Sequence, residues 1–382
     1  MNACVLTAAR PVTAMGPWQE LAELARLAPT PHNTQPFRIR PLNARVAQIV
    51  ILRERMLPEE DTGNLYVLSS FGIFAETLER AGRHLGLAVA VTADEAVEPA
   101  AIEPGTGPVV LGRAEISGHR PAEEQRSVLE ARRTSRLPYE DRLVDPRALH
   151  ELERIAAAHG HRFESFADPA TVRDVLKRNV RALLENNLKT AELAELRRWI
   201  RIADTPAVGD GLWSGPMNQP RWEMRLALRL PRLFLLPGLS SLATAKYLCT
   251  QAGTRHIAIL RGRFGSWPEL VLAGRMLMQL WLSMTRHGVY MLPFGSMITN
   301  SSCNRYLRER FSADDIWFIL RFGYSAVPPQ APRLASVLCG DDRPWPQGIA
   351  RTTPPSARNG WLLKRGFLLT VQPGAEPRQS AP

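Results

Sequence analysis

The first third of the chain shows hydrophobic patterns that alternate between helical and strand periods. Trp18, Leu21, Ala25 and Ala28 recur at the spacing of one helical face, and Pro29 ends that pattern. The patterns predict helices over residues 18–28 and 67–85, and strands over residues 37–39, 46–52, 89–91 and 109–116. This order predicts a first half of alternating helices and strands, spanning residues 1–118.

A second half, residues 119–327, shows the same kind of order around an insert near residues 206–249. The patterns predict helices over residues 122–132, 146–159, 171–188, 267–287 and 303–310, and strands over residues 161–166, 257–261 and 315–322. The apolar part of the insert, residues 230–249, fits either a lid over a pocket or two core helices joined at Pro237. Beyond it, frequent Pro, Arg and Gly predict an extended arm and a mobile tail over residues 328–382.

Composition narrows the class of protein. The chain has 382 residues, 45% hydrophobic and 22% charged, which is typical of a soluble globular protein with room for two domain-sized units. Four scattered cysteines without a CxxC spacing argue against a disulfide framework and a zinc site, and favour a reducing, cytoplasmic setting. The formal net charge of +11 is spread along predicted helices without a basic run, so we expect no nucleic-acid partner.

Membrane and targeting segments are not predicted. Arg232, Pro237 and Lys246 interrupt the apolar residues 230–249, so we expect neither a transmembrane helix nor a membrane partner. Arg10 and Pro11 interrupt residues 1–16, which therefore do not predict a signal peptide.

Two short motifs carry the candidate chemistry. Residues 29–37 read PTPHNTQPF, and their prolines favour a rigid loop that presents His, Asn and Gln side chains. Residues 132–136 read RRTSR, and arginine guanidinium groups match phosphate oxygens in bidentate fashion. A site for a polar ring together with a site for a phosphate indicates a mononucleotide cofactor.

The same motifs resemble a known family. Residues 25–37 look like the APS-x-HNTQPW segment of the nitroreductase-like FMN oxidoreductases, and residues 132–141 are similar to a segment of a long, single-chain branch of that family. Further similar segments follow in family order at residues 72–86, 273–285, 292–296 and 318–324. The resemblance implies an α+β, nitroreductase-like fold in which two fused α/β halves form a pseudo-dimer, with helices packed around mixed sheets.

The resemblance also implies roles for particular residues around FMN. The phosphate and ribityl end would be held by Arg132, Arg133, Ser135 and Arg136, and approached by Arg321. The ring would be lined by Pro31, His32, Asn33 and Gln35. Backbone N–H groups of the loop formed by Pro293, Phe294 and Gly295 would lie near the flavin N5. Phe294 stands where many family members have an acidic residue, which leaves the acceptor site apolar. No catalytic residue is assigned.

The distribution of the motifs predicts a single cofactor site. The ring motif lies in the first half without an arginine cluster before it, and the arginine motif lies in the second half without a ring motif after it. We therefore expect one FMN per chain, held between the halves, and a monomer that mimics the family dimer.

Three functions remain open at this point. The first is an FMN-dependent oxidoreductase that takes hydride from NAD(P)H and passes it to a quinone, nitro compound or similar small acceptor. The second is an oxidase or dehydrogenase dedicated to one metabolite or peptide. The third is a non-catalytic protein that sequesters FMN. The sequence contains no GxSxG, HExxH or GxxxxGK[ST] motif, and its histidines show no metal-like spacing.

Overall fold

The computed structural model describes residues 16–123, 126–186, 188–202 and 208–339. Its helices are α1 (Trp18–Ala25), α2 (Leu65–His84), α3 (Arg126–Ala131), α4 (Pro146–Ala158), α5 (Pro169–Asn186), α6 (Thr190–Trp199), α7 (Ser214–Met217), α8 (Arg221–Arg229), α9 (Pro237–Thr250), α10 (Trp267–Arg286), α11 (Gly295–Thr299) and α12 (Ser301–Phe311). Its strands are β1 (Phe37–Pro41), β2 (Val46–Leu52), β3 (Leu87–Ala93), β4 (Pro108–His119), β5 (Arg162–Phe166), β6 (Ile200–Arg201), β7 (Leu212–Trp213), β8 (His256–Arg261), β9 (Tyr290–Pro293) and β10 (Ile316–Gly323).

Two four-stranded sheets follow one topological plan. The first sheet has the order β1-β2-β4-β3 and the second has the order β5-β8-β10-β9, with antiparallel neighbours throughout. In each sheet the fourth strand in chain order lies between the second and the third. A 20-residue helix joins the second strand to the third in both cases, α2 in the first sheet and α10 in the second. The chain is therefore an α+β protein with a repeated arrangement of strands.

The helices α2 and α10 cross at a point where each helix carries a glycine. A Cβ atom on Gly274 would lie 1.9 Å from the carbonyl oxygen of Ser69, and one on Gly72 would lie 2.1 Å from that of Val271. Only glycine permits such an approach of two backbones. Most of the buried side chains around this crossing belong to one continuous apolar core that includes Phe71 and Trp267.

Side chains at the ends of these helices satisfy backbone N–H groups. The Asp61 carboxylate accepts the N–H groups of Tyr66 (3.1 Å) and Val67 (2.7 Å) in the first turn of α2. The Glu269 carboxylate accepts the N–H of Ser266 at the start of α10, at 3.0 Å. These bonds fix where each long helix leaves its sheet.

Each sheet is extended at an edge by a parallel bridge to an irregular segment. Leu338 pairs with Ile39 of β1, and Thr134 of the arginine motif pairs with Met291 of β9. Between their named strands both sheets are antiparallel rather than mixed, and each carries one isolated parallel bridge at an edge. The first bridge brings the chain after β10 back to the first sheet, and the second places the arginine motif beside the second sheet.

The structure confirms most predicted elements and corrects a few. The predicted helix over residues 18–28 ends at Ala25, and residues 292–293, which were predicted as loop, belong to the strand β9. The helix α9 begins at Pro237, but none of its residues is buried, so the interpretation of residues 230–249 as core helices is wrong for α9. The predictions for residues 1–15 and for the tail beyond residue 339 lie outside the described residues.

Candidate functional site

Arg132 is a buried arginine whose guanidinium group has few hydrogen-bond partners. Its side chain is 5% exposed, and its Nη2 donates to the carbonyl oxygen of Leu27 at 3.3 Å. Its Nε and Nη1 are buried without a hydrogen-bond partner, and its guanidinium lies 4.7 Å from the ring centroid of Trp281. Burial, and then the nearby charges of Arg333 and Arg133, hold the pKa of Arg132 well below its usual value.

Arg333 completes this first arginine group, although no motif in the sequence points to it. It lies in the arm after β10, and its Nη2 donates to the same Leu27 carbonyl oxygen at 3.4 Å. Its Nη1 donates to Oδ1 of Asn33 at 2.9 Å, while its Nε is buried without a partner. Burial and the charge of Arg133 lower the pKa of Arg333 to about 10. Among the described residues, no carboxylate forms an ion pair with Arg132 or Arg333.

Arg136 of the arginine motif and Arg321 of strand β10 form a second group. The fully buried Arg321 donates to Leu137 O (2.9 Å) and to Oγ1 of Thr254 (3.1 Å), and its Nε has no partner. Burial, followed by the charge of Arg321, lowers the pKa of Arg136 to about 10. Tyr139 and Tyr247 lie close enough to influence both guanidinium groups, and burial raises the pKa of each phenol to about 12. These neutral phenols do not offset the positive charge.

The remaining residues of the arginine motif lie between the two groups. Ser135 is fully buried, its N–H donates to Met291 O (3.1 Å) and its hydroxyl pairs with that of Ser325 (2.9 Å). The Arg133 side chain is half-buried and donates to the carbonyl oxygens of Glu130 and Arg132. Strand β9 therefore holds the motif in place, and Arg133 already has partners in its own chain.

The loop of the ring motif adopts a strained backbone. His32, Asn33 and Gln35 have φ values of 47°, 55° and 48°, in the left-handed region that non-glycine residues seldom occupy. The Gln35 N–H donates to Oγ1 of Thr30 at 2.9 Å, which ties the loop to its own start. Such strain persists only where surrounding contacts determine it, and it is concentrated at functional sites.

The amides of Asn33 and Gln35 are engaged with two distant segments. Asn33 Nδ2 donates to the carbonyl oxygens of Gly211 (3.1 Å) and Pro332 (3.0 Å). Gln35 Nε2 donates to Gly209 O at 2.7 Å, and its Oε1 accepts the N–H of Leu334 at 3.0 Å. In this arrangement, both amides hold the insert and the arm against the first half. The structure therefore gives them structural partners at the place where the sequence predicts ring contacts.

His32 and Thr34 are the ring-motif residues with a buried side-chain polar atom that has no partner, and of the two only His32 can titrate. The His32 Nε2 lies 2.8 Å from Oε2 of Glu60, and its Nδ1 is buried without a partner. Burial alone would lower the pKa of His32, but the Glu60 carboxylate outweighs burial and raises it above the ordinary value. Arg136 acts on His32 in the opposite sense, which places the ring motif within electrostatic range of the arginine motif.

We expect the His32–Glu60 pair to stabilise the fold over a defined pH range. The raised pKa of His32 gives stability that is complete below 6.5 and is lost as the pH rises through the folded value. The lowered pKa of Glu60 gives stability that is present above 4.5 and is lost as the pH falls. Glu60→Gln should therefore reduce the free energy of unfolding most between these two values.

Denaturant unfolding across the pH range, together with an NMR titration of His32, measures this effect. Glu60→Gln should shift the pKa of His32 downward, while the neighbouring exposed Glu59→Gln should leave it in place. An unchanged His32 titration in Glu60→Gln would contradict the pairing.

The loop predicted near the flavin N5 lies at the end of β9. The N–H of Phe294 donates to Ile319 O at 2.9 Å, and its side chain is buried in a second apolar cluster around α5 and α12. Gly295 begins α11, and a Cβ atom there would meet open space. The Phe294 N–H is therefore already bonded to the sheet, whereas the Gly295 position remains accessible.

Two clefts are each lined by one residue that contacts a residue of the candidate site or its neighbour Glu60. One, of about 430 Å³, includes Thr254, the residue that accepts a hydrogen bond from Arg321. The other, of about 450 Å³, includes Glu195, whose carboxylate accepts the N–H of Glu60 at 3.0 Å. Within the described ranges, no cluster of His, Cys, Asp and Glu is arranged to hold a metal ion.

The structure brings most of the predicted residues into one region. Arg132 and Arg321 contribute buried guanidinium groups and Arg136 a half-buried one. His32 of the first half lies within electrostatic range of Arg136, and Arg333 joins the region without having been predicted from the sequence. An anion would satisfy the unpartnered guanidinium nitrogens, because buried charges without counter-charges are costly. A phosphate has the charge and the acceptor geometry that arginine groups match best.

Comparisons with known proteins give a partial likeness in fold. No family model matches the chain, and no curated protein matches it. A nitroreductase with bound FMN from Bacteroides fragilis is 11% identical, with 58% of this chain and 95% of that chain covered and a TM-score of 0.33. An FMN-dependent nitroreductase from Mycobacterium smegmatis in complex with NADPH is 18% identical, with 53% and 92% covered and a TM-score of 0.31. TM-scores this low leave the role of each residue to be argued from this chain's own geometry.

Proposed function

We propose that the chain is an FMN-dependent oxidoreductase of the nitroreductase-like type that binds one FMN. The observation that carries this proposal is the set of buried, unpartnered guanidinium nitrogens on Arg132, Arg321 and Arg333. They lie near both sequence motifs, and a bound anion would give them partners. FMN supplies a phosphate for these groups and a ring for the neighbouring loop.

The residues of the site would divide the work of holding FMN. The arginine groups would bind the phosphate, and the buried Ser135 would fix the backbone of the motif between them. His32 would hold a proton at the site, because its Nδ1 is unpartnered while Glu60 engages its Nε2. Bound FMN would supply hydride chemistry, taking hydride from NAD(P)H and passing it to a small organic acceptor such as a quinone or nitro compound.

The repeated topology supports one further part of this proposal. Both sheets share one strand order, and the helices that join their second and third strands pack against each other at Gly72 and Gly274. This arrangement supports a pseudo-dimer in which two nitroreductase-like halves are fused in one chain. We further propose that this chain acts as a cytoplasmic monomer and, since only one half carries each motif, that one site would be complete.

Absorbance spectroscopy tests the proposal directly. The purified protein loaded with FMN should bind about one FMN per chain, and riboflavin, which lacks the phosphate, should bind much more weakly. Anaerobic NADPH or NADH should then bleach the flavin absorbance. A protein that cannot be loaded with FMN, or that binds riboflavin equally well, would contradict the phosphate site.

A flavin-sequestering protein is the second candidate, and contacts of the insert favour it. Arg136 Nη1 donates to Pro216 O at 3.2 Å, and Asn218 Nδ2 donates to Arg136 O at 3.2 Å. The insert therefore closes over one arginine of the site. Bound FMN that stays oxidised with NADPH and NADH would select this candidate, or an oxidase dedicated to one metabolite, over the reductase.

A further inference from the structure

Residues 221–242 form a surface lobe with an unusual density of exposed apolar side chains. Trp222 is 64% exposed, Leu236 is 53% exposed and Leu242 is 65% exposed. The other large apolar side chains that are exposed in this lobe are Leu226, Leu230, Leu233 and Leu239. Single exposed leucines are common on soluble proteins, but a continuous group of this kind marks an interaction surface.

The apolar side chains of α8 lie beside exposed arginines. Trp222 and Leu226 lie four residues apart on one side of α8, and the exposed Leu230 follows directly after the helix. Arg225 and Arg229 are exposed and lie four residues apart, beside the apolar side of the helix. Met224 is buried and anchors the opposite side of α8 to the protein. The lobe thus presents apolar and cationic side chains outward together.

The charge of the lobe selects the partner. The lobe carries Arg225, Arg229 and Arg232, and its single acid, Glu223, pairs with Lys246 just beyond it. A second copy of the same lobe would bring like charges together, which is unfavourable. Interfacial helices with leucine and tryptophan on one side and arginine beside them bind anionic lipid surfaces.

We propose that this lobe docks the protein on the surface of a membrane that contains anionic lipids. The apolar side chains would enter the boundary between headgroups and acyl chains, and the arginines would contact lipid phosphates. This differs from the expectation of no membrane partner, which rested on the absence of a spanning segment. Every helix among the described residues is too short or too polar to span a bilayer.

Co-sedimentation of the full chain with vesicles tests the proposal. The protein should bind vesicles of equimolar phosphatidylcholine and phosphatidylglycerol, and should bind phosphatidylcholine vesicles weakly. Raised salt should release it, because the arginine contribution is screened. The fluorescence of Trp222, obtained by difference from Trp222→Phe, should shift to the blue on anionic vesicles.

Two triple variants separate the apolar and cationic contributions. Arg225→Gln with Arg229→Gln and Arg232→Gln should lower partitioning by on the order of a hundredfold. Leu230→Ser with Leu233→Ser and Leu236→Ser should abolish the blue shift and most of the binding. The matched controls are Arg305→Gln with Arg308→Gln, and Leu143→Ser, which alter exposed residues of the same types elsewhere.

Several outcomes would overturn the proposal. Binding that survives both triple variants would place the contact on another part of the chain, and equal loss in the controls would indicate a nonspecific charge effect. Failure to bind anionic vesicles would exclude the lipid partner and leave an acidic protein as the alternative. FMN loading of the same preparations shows that each variant is folded, and a chain that binds no FMN can be checked by near-UV circular dichroism.

Discussion

Replacing Arg132 with methionine is expected to weaken FMN binding by on the order of a hundredfold, because it removes a charge that a buried phosphate would contact. The same change should leave the FMN-free protein at least as stable, and more stable by up to roughly 2 kcal/mol. The reason is that Arg132 is buried with two unpartnered nitrogens and lies near two further arginines. Methionine fills a similar volume without a charge to desolvate.

The opposite signs of these two effects make the prediction specific. A titration of FMN fluorescence measures the affinity, and urea unfolding without FMN measures the stability. Arg126→Met is a suitable control, since Arg126 lies on α3 in an exposed ion pair with Glu130. A large loss of FMN-free stability in Arg132→Met, with unchanged FMN affinity, would assign Arg132 a structural role and remove it from the cofactor site.

Replacing Gly274 with alanine is expected to lower the free energy of unfolding by about 3 kcal/mol, because the added Cβ would overlap the backbone of α2. That atom would lie 1.9 Å from Ser69 O and 3.0 Å from the Cα of Gly72. Both contacts are with backbone atoms, which a side-chain rotation cannot relieve. The helices must therefore separate, and the surrounding core loses contacts on both sides.

Gly238→Ala provides the matched control for this prediction. Gly238 also lies in a helix, α9, but a Cβ atom there would meet nothing within 4 Å. Its replacement should be neutral or slightly stabilising, since alanine favours the helix. Gly72→Ala should resemble Gly274→Ala, and the double variant should cost less than the sum, because the helices separate only once. Equal losses at positions 238 and 274 would contradict the close crossing.

Periodic burial explains which elements the sequence could predict. The long helices α2 and α10 carry apolar stripes that pack on each other, so their patterns are strong in the sequence. Helix α6 was missed because only Leu193 and Trp199 along it are buried, which leaves no stripe to detect. Strand β9 was missed because it is short and ends at Pro293, and proline argues against a strand in sequence reasoning.

The sequence predicted only part of the candidate site, because several of its contacts join residues that lie far apart along the chain. Arginines close together in sequence could be recognised as a phosphate motif, and the resemblance supplied Arg321. Arg333 could not be found, because its partners Asn33 and Leu27 lie about three hundred residues away. The backbone partners of Asn33 and Gln35 were equally hidden, since N–H and carbonyl groups of the insert and the arm leave no pattern in the sequence.

The return of the arm to the first sheet has a consequence for biosynthesis. Arg333 and Leu338 follow the last strand, β10, yet they contact Asn33 and Ile39 near the beginning of the chain. Chains are made from the N-terminus and fold as they emerge, so both sheets can form while the ribosome still holds the arm. On the proposed role of Arg333, the nascent protein can acquire its fold before it can retain the cofactor. A chain truncated before residue 333 would then be folded and colourless.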